Sequence, residues 1–269
     1  MPLNVHHAGD PAGPPVLAIH GVTGHGLRFR PLFEALPQLH WIAVDLRGHG
    51  RSPWAPPWNL EQHVEDAVDV LDGHGVDRAA VVGHSFGGAV ATHLARAAPD
   101  RVTRLALLDP AIGLAPDDML QRAEEHRADQ SWPSREAARA DRTASWPGVS
   151  GELVDDELDD HLEERDGAFR WRYSRACVVA AWAEMARPAV VPPAGLPTLV
   201  VPATGADFVR EGWLAACRAQ LGDDLTVRPI DSGHMVYLER PEETAARLRA
   251  FLGAPEAVTN REARRTGRS

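Results

Sequence analysis

The segment at residues 79–98 constrains the fold more than any other part of the sequence. It begins with the apolar run AAVV, continues as GHSFGG around Ser85, and ends in a helix-like stretch. This pattern predicts a buried strand, a sharp turn and a helix. A Cβ atom at Gly83 or Gly87 would clash with neighbouring backbone in such a turn. Ser85 is therefore either a nucleophile on a strained turn or part of a tight structural connection.

Other apolar runs indicate further strands of the same sheet. Val16–Ile19, Trp41–Val44 and Leu105–Leu108 alternate with helix-like stretches in the first part of the chain. Two more strands are predicted later, at Thr198–Val201 and Leu225–Ile230. Continuous apolar runs are typical of parallel strands that helices cover on both faces. The fold class is therefore α/β, with a doubly wound, mostly parallel sheet.

The strand pattern is interrupted in the middle of the chain. Residues 111–195 contain helix-like stretches and four tryptophans, but no convincing strand. We therefore predict a core formed by residues 1–110 and 196–253, with 111–195 as a helical insertion. The polar, arginine-bearing tail 254–269 is predicted to be disordered.

Composition excludes several kinds of chemistry. The 269 residues include no lysine, so all 28 basic residues are arginines. A P-loop, a pyridoxal Schiff base and a serine–lysine dyad each need a lysine. Cys177 and Cys217 have no zinc-site spacing and are expected to be reduced, buried thiols. No metal site is predicted.

The net charge of −10 is concentrated in one segment. Residues 116–166 contain 16 acidic residues against 6 arginines, and the rest of the chain is balanced. We interpret the segment as a solvated acidic face, which argues against nucleic acid or an anionic membrane as a partner. The sequence contains no apolar run of about 18 residues and no secretory signal pattern, so a cytoplasmic location is expected.

Candidate catalytic groups follow the predicted strands. GHSFGG matches G-x-S-x-G in the strand–turn–helix context that this motif requires, which favours Ser85 as a nucleophile. A serine needs a base, and the base needs an orienting group. His234, in DSGHMVYLERP after the last strand, is the predicted base. The other histidines, among them His6, His7, His63 and His74, are expected at the surface.

Two aspartates compete for the role of the acid that orients His234. Asp207 lies in VVPATGADFV, after the strand at Thr198–Val201, and is the predicted acid. Asp109 ends the preceding strand, and its expected role is to bind backbone where the insertion begins. Because adjacent parallel strands end at the same edge of a sheet, both carboxylates could reach His234.

Serine chemistry also needs donors for an oxyanion. The loop HGVTGHG follows the strand at Val16–Ile19, and the backbone N–H groups of Val22 and Phe86 are the predicted pair. His20 is expected to order this loop. The glycine-rich DLRGHGRS is interpreted as structural, with Asp45 and Arg47 bonded locally.

These motifs together resemble the α/β-hydrolase superfamily. HGVTG, DLRGHGRS, GHSFGG, GAD and SGH occur in the family's order across most of the chain up to Gly253. The resemblance implies a helical cap formed by residues 111–195, and neither a metal nor an organic cofactor. A serine at position 85 sets the chain apart from relatives of this fold that use an aspartate nucleophile. The cap tryptophans expected to line a substrate pocket are Trp132, Trp146, Trp171 and Trp182.

The resemblance implies hydrolysis of a small molecule. The expected activity is that of a serine carboxylesterase for small to medium, largely apolar esters, acting through an acyl-enzyme. A C–C bond hydrolase for ring-fission diketones and a lactonase are alternatives, because similar triads serve all three. A non-catalytic receptor that senses a ligand is a further alternative of a different class. The motifs do not determine the substrate or the oligomeric state.

Overall fold

The computed structural model describes residues 2–128 and 130–253 of the chain. The tail 254–269, predicted to be disordered, lies outside the described residues. The described residues form a seven-stranded sheet in the order β1-β3-β2-β4-β5-β8-β9 and a separate two-stranded sheet, β6-β7. The strands are β1 (Val5–Gly9), β2 (Pro15–Ile19), β3 (His40–Val44), β4 (Ala79–His84), β5 (Val102–Leu108), β6 (Leu162–Arg165), β7 (Ala168–Trp171), β8 (Thr198–Val201) and β9 (Leu225–Val227).

The main sheet is parallel except at one edge. β1 pairs antiparallel with β3, and each of the other neighbouring pairs is parallel. All residues of β4 and β8 are buried, as continuous apolar runs predict for strands covered on both faces. The predicted doubly wound, mostly parallel α/β fold is therefore confirmed. The last strand is shorter than predicted and ends at Val227, with one isolated bridge beyond it from Ile230 to Ala203.

Helices cover this sheet, with α1 packed against α10 and α2 against α3. The ten helices of the described residues are α1 (Arg30–Ala35), α2 (Leu60–Gly73), α3 (Phe86–Ala97), α4 (Pro116–Glu125), α5 (Arg135–Ser145), α6 (Gly151–His161), α7 (Arg175–Met185), α8 (Glu211–Leu221), α9 (Val236–Glu239) and α10 (Pro241–Leu252). Asn59 caps α2 by accepting the N–H of Gln62 at 3.2 Å, and Gly253 ends α10 in the left-handed conformation.

The chain between β5 and β8 contains α4 to α7 and also a β-hairpin. The expectation that residues 111–195 lack strands is therefore wrong, because β6 and β7 pair antiparallel. The turn between them is Asp166-Gly167, and both residues have positive φ, at 54° and 72°. An Asp-Gly pair is a strong hairpin signal, since such turns need positive φ at both central positions. The flanking strands are only four residues long, too short to give a clear alternating pattern.

A buried ion pair joins this inserted segment to the core. Arg28, which follows the loop after β2, donates two hydrogen bonds to Glu157 of α6, from Nε at 2.9 Å and from Nη2 at 2.5 Å. His25 contacts the same carboxylate at 2.9 Å. Burial alone would raise the pKa of Glu157, but Arg28 and His25 outweigh it and hold the pKa well below its ordinary value. Glu157 is therefore an ionised side chain that cannot lose its charge without leaving Arg28 unpaired.

Buried histidines form a second set of polar contacts, in the loops that follow β2 and β3. His20 accepts the N–H of Leu46 at Nε2, 2.9 Å away, and bonds to the carbonyl of Gly21 through Nδ1 at 2.7 Å. A ring nitrogen that accepts an amide hydrogen carries no proton, so His20 is neutral. Burial holds its pKa well below the ordinary value, and the nearby ring of His49 lowers it further. These contacts depend on a neutral imidazole.

His49 and His63 are buried in the same way. His49 accepts the N–H of Thr23 at 3.2 Å, and burial lowers its pKa to about 3. The expectation that His63 lies at the surface is wrong: it is fully buried, edge-on to the ring of Phe86. Position 63 lies three residues after Leu60, on the buried stripe of α2, which explains its burial. Burial lowers the pKa of His63 to about 4.

Removing the charge of Glu157 should destabilise the protein strongly. We expect Glu157→Gln to lower the free energy of unfolding by about 3–5 kcal/mol, because it leaves a buried arginine without its counter-charge. The matched control is Asp156→Asn, which removes a half-exposed partner of Arg30 and should cost no more than about 1 kcal/mol. Urea unfolding measures both values. Equal losses in the two variants would contradict the interpretation.

The neutral histidines should make stability fall in acid. A group whose pKa is lowered on folding binds its proton more readily in the unfolded chain, so each stabilises the fold above pH 6.5 and ceases to do so as pH falls towards its folded pKa. Between pH 6.5 and about 3, His49 should contribute a loss of about 1.4 kcal/mol per pH unit. Urea unfolding at several pH values should show a shallower slope for His49→Gln. The exposed control His74→Gln should keep the wild-type slope.

Candidate active site

The turn between β4 and α3 has the geometry that the sequence predicts. Ser85 has φ 54° and ψ −121°, a strained conformation for a residue with a side chain. Its N–H donates to the carbonyl of Leu108 at 3.1 Å, and its carbonyl accepts the N–H groups of Gly88 and Ala111. Hydrogen bonds to the neighbouring strand end therefore hold the strained turn in place.

The glycines of GHSFGG are required by close backbone approach. A Cβ on Gly83 would lie 2.4 Å from the carbonyl oxygen of Gly87, and a Cβ on Gly87 would lie 2.1 Å from that of Ile19. Real Cβ atoms do not approach backbone so closely, so no other residue fits without shifting two strands. The glycines of the motif are therefore needed because β2, β4 and α3 pack closely against one another next to Ser85.

The carboxylate that contacts His234 is that of Asp109. Its Oδ2 lies 2.6 Å from Nδ1 of His234, and its Oδ1 accepts the N–H of Ala203 at 3.0 Å. Asp109 is fully buried at the end of β5 and has a positive φ of 41°. Asp109 therefore binds backbone after β8, and not where the insertion begins as expected, and it also contacts His234.

The expectation that Asp207 orients His234 is wrong in this structure. The Asp207 side chain is 86% exposed, and its nearest charged partner is Arg210 at 3.7 Å. Its neighbour Phe208 lies against the imidazole instead, with the two rings stacked 4.0 Å apart. Asp207 is six residues beyond the end of β8, whereas Asp109 directly follows β5. The longer loop turns the Asp207 carboxylate into solvent.

Two residues that the sequence analysis did not single out hold the His234 loop. Glu239 accepts the N–H groups on both sides of His234, from Gly233 at 2.7 Å and from Met235 at 3.3 Å. Nε2 of His84 lies 2.9 Å from the carbonyl oxygen of His234 and donates to it. The available signals were a glutamate five residues after the histidine and a histidine directly before Ser85.

The contacts of His84 bring Ser85 and His234 to the same place. The rings of His84 and His234 lie 4.7 Å apart, and Ser85 is the next residue along the chain. Burial, followed by the nearby His234 ring, holds the pKa of His84 well below its ordinary value, so its ring is neutral. The segments that follow β4, β5 and β9 thus come together at one edge of the sheet, where ligands bind in open α/β sheets.

The loop after β2 lies beside the same turn. A Cβ on Gly21 would be 2.9 Å from the Cβ of Ser85, so the backbone leading to Val22 passes directly next to it. Phe86 is the first residue of α3, and the first amides of a helix have no acceptor within the helix. Thr23 has a positive φ of 63° and is held by His49 and by Arg28, which donates to its carbonyl at 2.7 Å.

The four tryptophans of the inserted segment have different surroundings. Trp132 and Trp171 meet edge to face at 5.7 Å and line a cavity of about 430 Å³ together with Thr23. Trp146 is buried and stacks on the guanidinium of Arg142 at 4.6 Å. Trp182 is buried near the ring of His126, at 5.6 Å. Trp132 and Trp171 are thus the two of the four that line the cavity beside the loop after β2.

The described residues form no cluster suited to metal binding, and both cysteines are reduced. Among residues 2–128 and 130–253, no three histidine, cysteine or acidic side chains are arranged to hold a metal ion. Cys177 and Cys217 are free and buried, and burial raises the pKa of both thiols to about 12. In the same described part of the chain, no helix is both long and apolar enough to cross a membrane.

Comparisons with known proteins agree with this architecture. Lipase LipV of Mycobacterium tuberculosis is 43% identical over 256 residues, which cover 93% of this chain and 98% of that protein. Esterase YbfF of Escherichia coli is 26% identical, with 88% and 92% covered. The crystal structure of E-2-(acetamidomethylene)succinate hydrolase superposes with a TM-score of 0.81 at 25% identity, covering 94% of this chain and 95% of that one.

The sequence model of the alpha/beta hydrolase fold matches residues 14–241, from the turn before β2 to the start of α10. That span includes Ser85, Asp109, His234 and the whole inserted segment. The chain therefore belongs to the α/β-hydrolase family.

Proposed function

We propose that this protein is a serine hydrolase that cleaves small to medium carboxylic esters. Ser85 is the nucleophile, His234 the general base and Asp109 the acid that orients it. The backbone N–H groups of Val22 and Phe86 bind the oxyanion. The single observation that carries the proposal is the buried Asp109–His234 contact beside the strained turn at Ser85.

The geometry supports a defined tautomer for His234. Because Asp109 accepts the Nδ1 hydrogen, Nε2 of His234 is left as a proton acceptor for the serine hydroxyl. The N-terminus of α3 adds a positive dipole where negative charge develops. An activated serine, an oriented base and oxyanion donors are the parts that acyl transfer requires.

The reaction then follows in two balanced steps. Oγ of Ser85 forms a bond to the ester carbonyl carbon as His234 takes the hydroxyl proton. The C–O bond to the alcohol breaks, and His234 returns the proton to the leaving oxygen. Water next attacks the carbonyl carbon of the acyl-enzyme and gives a proton to His234. The bond from that carbon to Oγ of Ser85 breaks, His234 returns the proton to Oγ, and the carboxylic acid product leaves.

The names of relatives support an ester substrate over the alternatives. LipV is named a lipase and YbfF an esterase, and both align over most of this chain. A C–C bond hydrolase for ring-fission diketones and a lactonase use similar groups. A panel of esters of increasing acyl length, a lactone and one ring-fission diketone, compared by kcat/KM, separates these activities. A receptor would turn over none of them.

Replacing the nucleophile should abolish turnover without affecting the fold. We expect Ser85→Ala to lower kcat for p-nitrophenyl acetate by several orders of magnitude, since no acyl-enzyme can form. A fluorophosphonate probe should label the wild-type protein once, at Ser85, as read by peptide mass spectrometry. The matched control is Ser52→Ala, another buried serine, which should keep the labelling. Labelling of the Ser85→Ala protein would show that the nucleophile is elsewhere.

The two candidate acids should behave oppositely on substitution. Asp109→Asn keeps an oxygen for the Ala203 N–H but loses the carboxylate against His234, so kcat should fall by roughly four orders of magnitude. Asp207→Asn changes an exposed side chain and should leave kcat near the wild-type value. Steady-state kinetics with p-nitrophenyl acetate measure both, and circular dichroism checks the fold. A large loss of kcat in Asp207→Asn, with none in Asp109→Asn, would show that Asp207 orients His234.

A further inference from the structure

The cavity beside the loop after β2 contains a buried cation. It has a volume of about 430 Å³ and is lined by Thr23 on the core side and by Trp132, Arg142, Trp171 and Tyr173 on the other. Thr23 is two residues after Gly21, which lies against Ser85. Consecutive Cα atoms are about 3.8 Å apart, so the cavity wall begins within about 8 Å of Gly21. The chain from Gly21 to Thr23 therefore connects the turn at Ser85 to the wall of this cavity.

Arg142 is held by aromatic rings and not by hydrogen bonds. Its guanidinium lies 4.0 Å from the ring centre of Trp171 and 4.6 Å from that of Trp146. The side chain is 11% exposed, and its Nε makes no hydrogen bond to the described residues. The nearest carboxylate oxygen, on Glu157, is 3.7 Å away, beyond hydrogen-bond distance. The Nε atom is inaccessible, so the terminal nitrogens of Arg142 are the donors that the cavity wall offers to a ligand.

The buried charges around Arg142 do not balance. Among the described residues, Glu157 is the one carboxylate in contact with both Arg28 and Arg142, and it already accepts two hydrogen bonds from Arg28. His161, which lies beside this cluster, is kept neutral by burial, which holds its pKa well below the ordinary value. Burial and the charge of Arg28 lower the pKa of Arg142 itself to about 10. Counted over the residues that the structure describes, the cluster thus carries two arginines against one glutamate that already binds Arg28.

The other charged groups that face the cavity do not remove this excess. Asp141 lines the same cavity, but its side chain is exposed, so water screens its charge. His126 lines the opposite part of the wall and bonds to the carbonyl of Arg122 at 2.8 Å. A buried cation without its own counter-ion is costly, and an anion that enters the cavity would offset that cost.

We propose that Arg142 binds a carboxylate on the acyl part of the ester, so that the preferred substrates are half-esters of small dicarboxylic acids. The proposal rests on the proposed function, because it assigns the acyl group of that same reaction. It replaces the largely apolar ester expected from the sequence by one whose acyl group ends in a negative charge. The aromatic walls contact the methylene groups, and the guanidinium pairs with the terminal carboxylate.

Arginine is suited to this role because of its shape. Contact with the rings of Trp146 and Trp171 restricts the position of the guanidinium at the cavity wall. A planar fork matches the two oxygens of a carboxylate, whereas an amide of the same size offers one oxygen and two competing hydrogens. The site should therefore distinguish a carboxylate from its isosteric amide.

A matched pair of substrates tests this directly. Monoethyl glutarate and ethyl 4-carbamoylbutanoate differ in one terminal group, carboxylate or amide, and release of ethanol measures both. We expect kcat/KM of the wild-type protein to be at least 10-fold higher for the carboxylate. Arg142→Gln should lower that ratio at least 10-fold. Arg139→Gln changes an exposed arginine on the same helix and should keep the wild-type ratio.

Binding without turnover provides an independent readout. Glutarate should raise the Tm of the Ser85→Ala protein, glutaramide should not, and Arg142→Gln added to Ser85→Ala should remove the shift. If Arg142→Gln does not fold, the wild-type protein still tests the site, because glutarate should inhibit ethyl ester hydrolysis competitively and glutaramide should not.

The outcomes separate this inference from the proposed function. Turnover of both esters at similar kcat/KM, with no effect of glutarate on Tm, would overturn the carboxylate site and leave the ester hydrolase intact. A glutarate shift that depends on Arg142, with no turnover of any ester, would overturn the hydrolase and retain an anion site. If the folded Arg142→Gln protein keeps the wild-type ratio of kcat/KM for the two esters, Arg142 does not bind the substrate carboxylate and has only a structural role.

Discussion

The close approach of backbone around Ser85 is the constraint on which the rest of the structure depends. Three glycines, Gly21, Gly83 and Gly87, lie so near other segments of the polypeptide that any side chain there would collide with them. The N–H of Ser85 bonds to the end of β5, and the end of β2 lies in close contact with Gly87. The strain of a positive φ at Ser85 is tolerated because surrounding strands determine the path of the chain. Every group assigned to catalysis follows the end of β2, β4, β5 or β9.

Polar groups inside the protein are paired in ways that depend on their protonation. His20 and His49 order the loop after β2 as neutral acceptors, whereas Glu157 joins the inserted segment to the core as an anion. The guanidinium of Arg142 differs from these groups, since the Glu157 carboxylate lies 3.7 Å from it and already accepts two hydrogen bonds from Arg28. A largely buried positive charge at a cavity near Ser85 favours substrates that carry a negative charge. Apolar residues alone would not produce this preference.

Much of the fold could be predicted because its signals are local. Continuous apolar runs marked β2 to β5 and β8, and glycines around Ser85 marked the turn. The hairpin β6-β7 was missed because four-residue strands show little periodicity, although Asp166-Gly167 carries a turn signal. His63 was expected at the surface because histidine is polar, but its position on the buried stripe of α2 places it in the core. Glu239 and His84 were missed because their roles lie in contacts with backbone, which residue type does not reveal.

The sequence by itself determined where most strands of the main sheet lie along the chain, the turn at Ser85 and the position of His234 on a loop after the last strand. Only the tertiary structure decided which aspartate meets His234. Asp109 and Asp207 both follow parallel strands that end at the same edge, so local pattern does not distinguish them. Asp109 reaches the imidazole because it leaves β5 directly and is held by the Ala203 amide, whereas the loop after β8 places Phe208 on the ring and Asp207 in water.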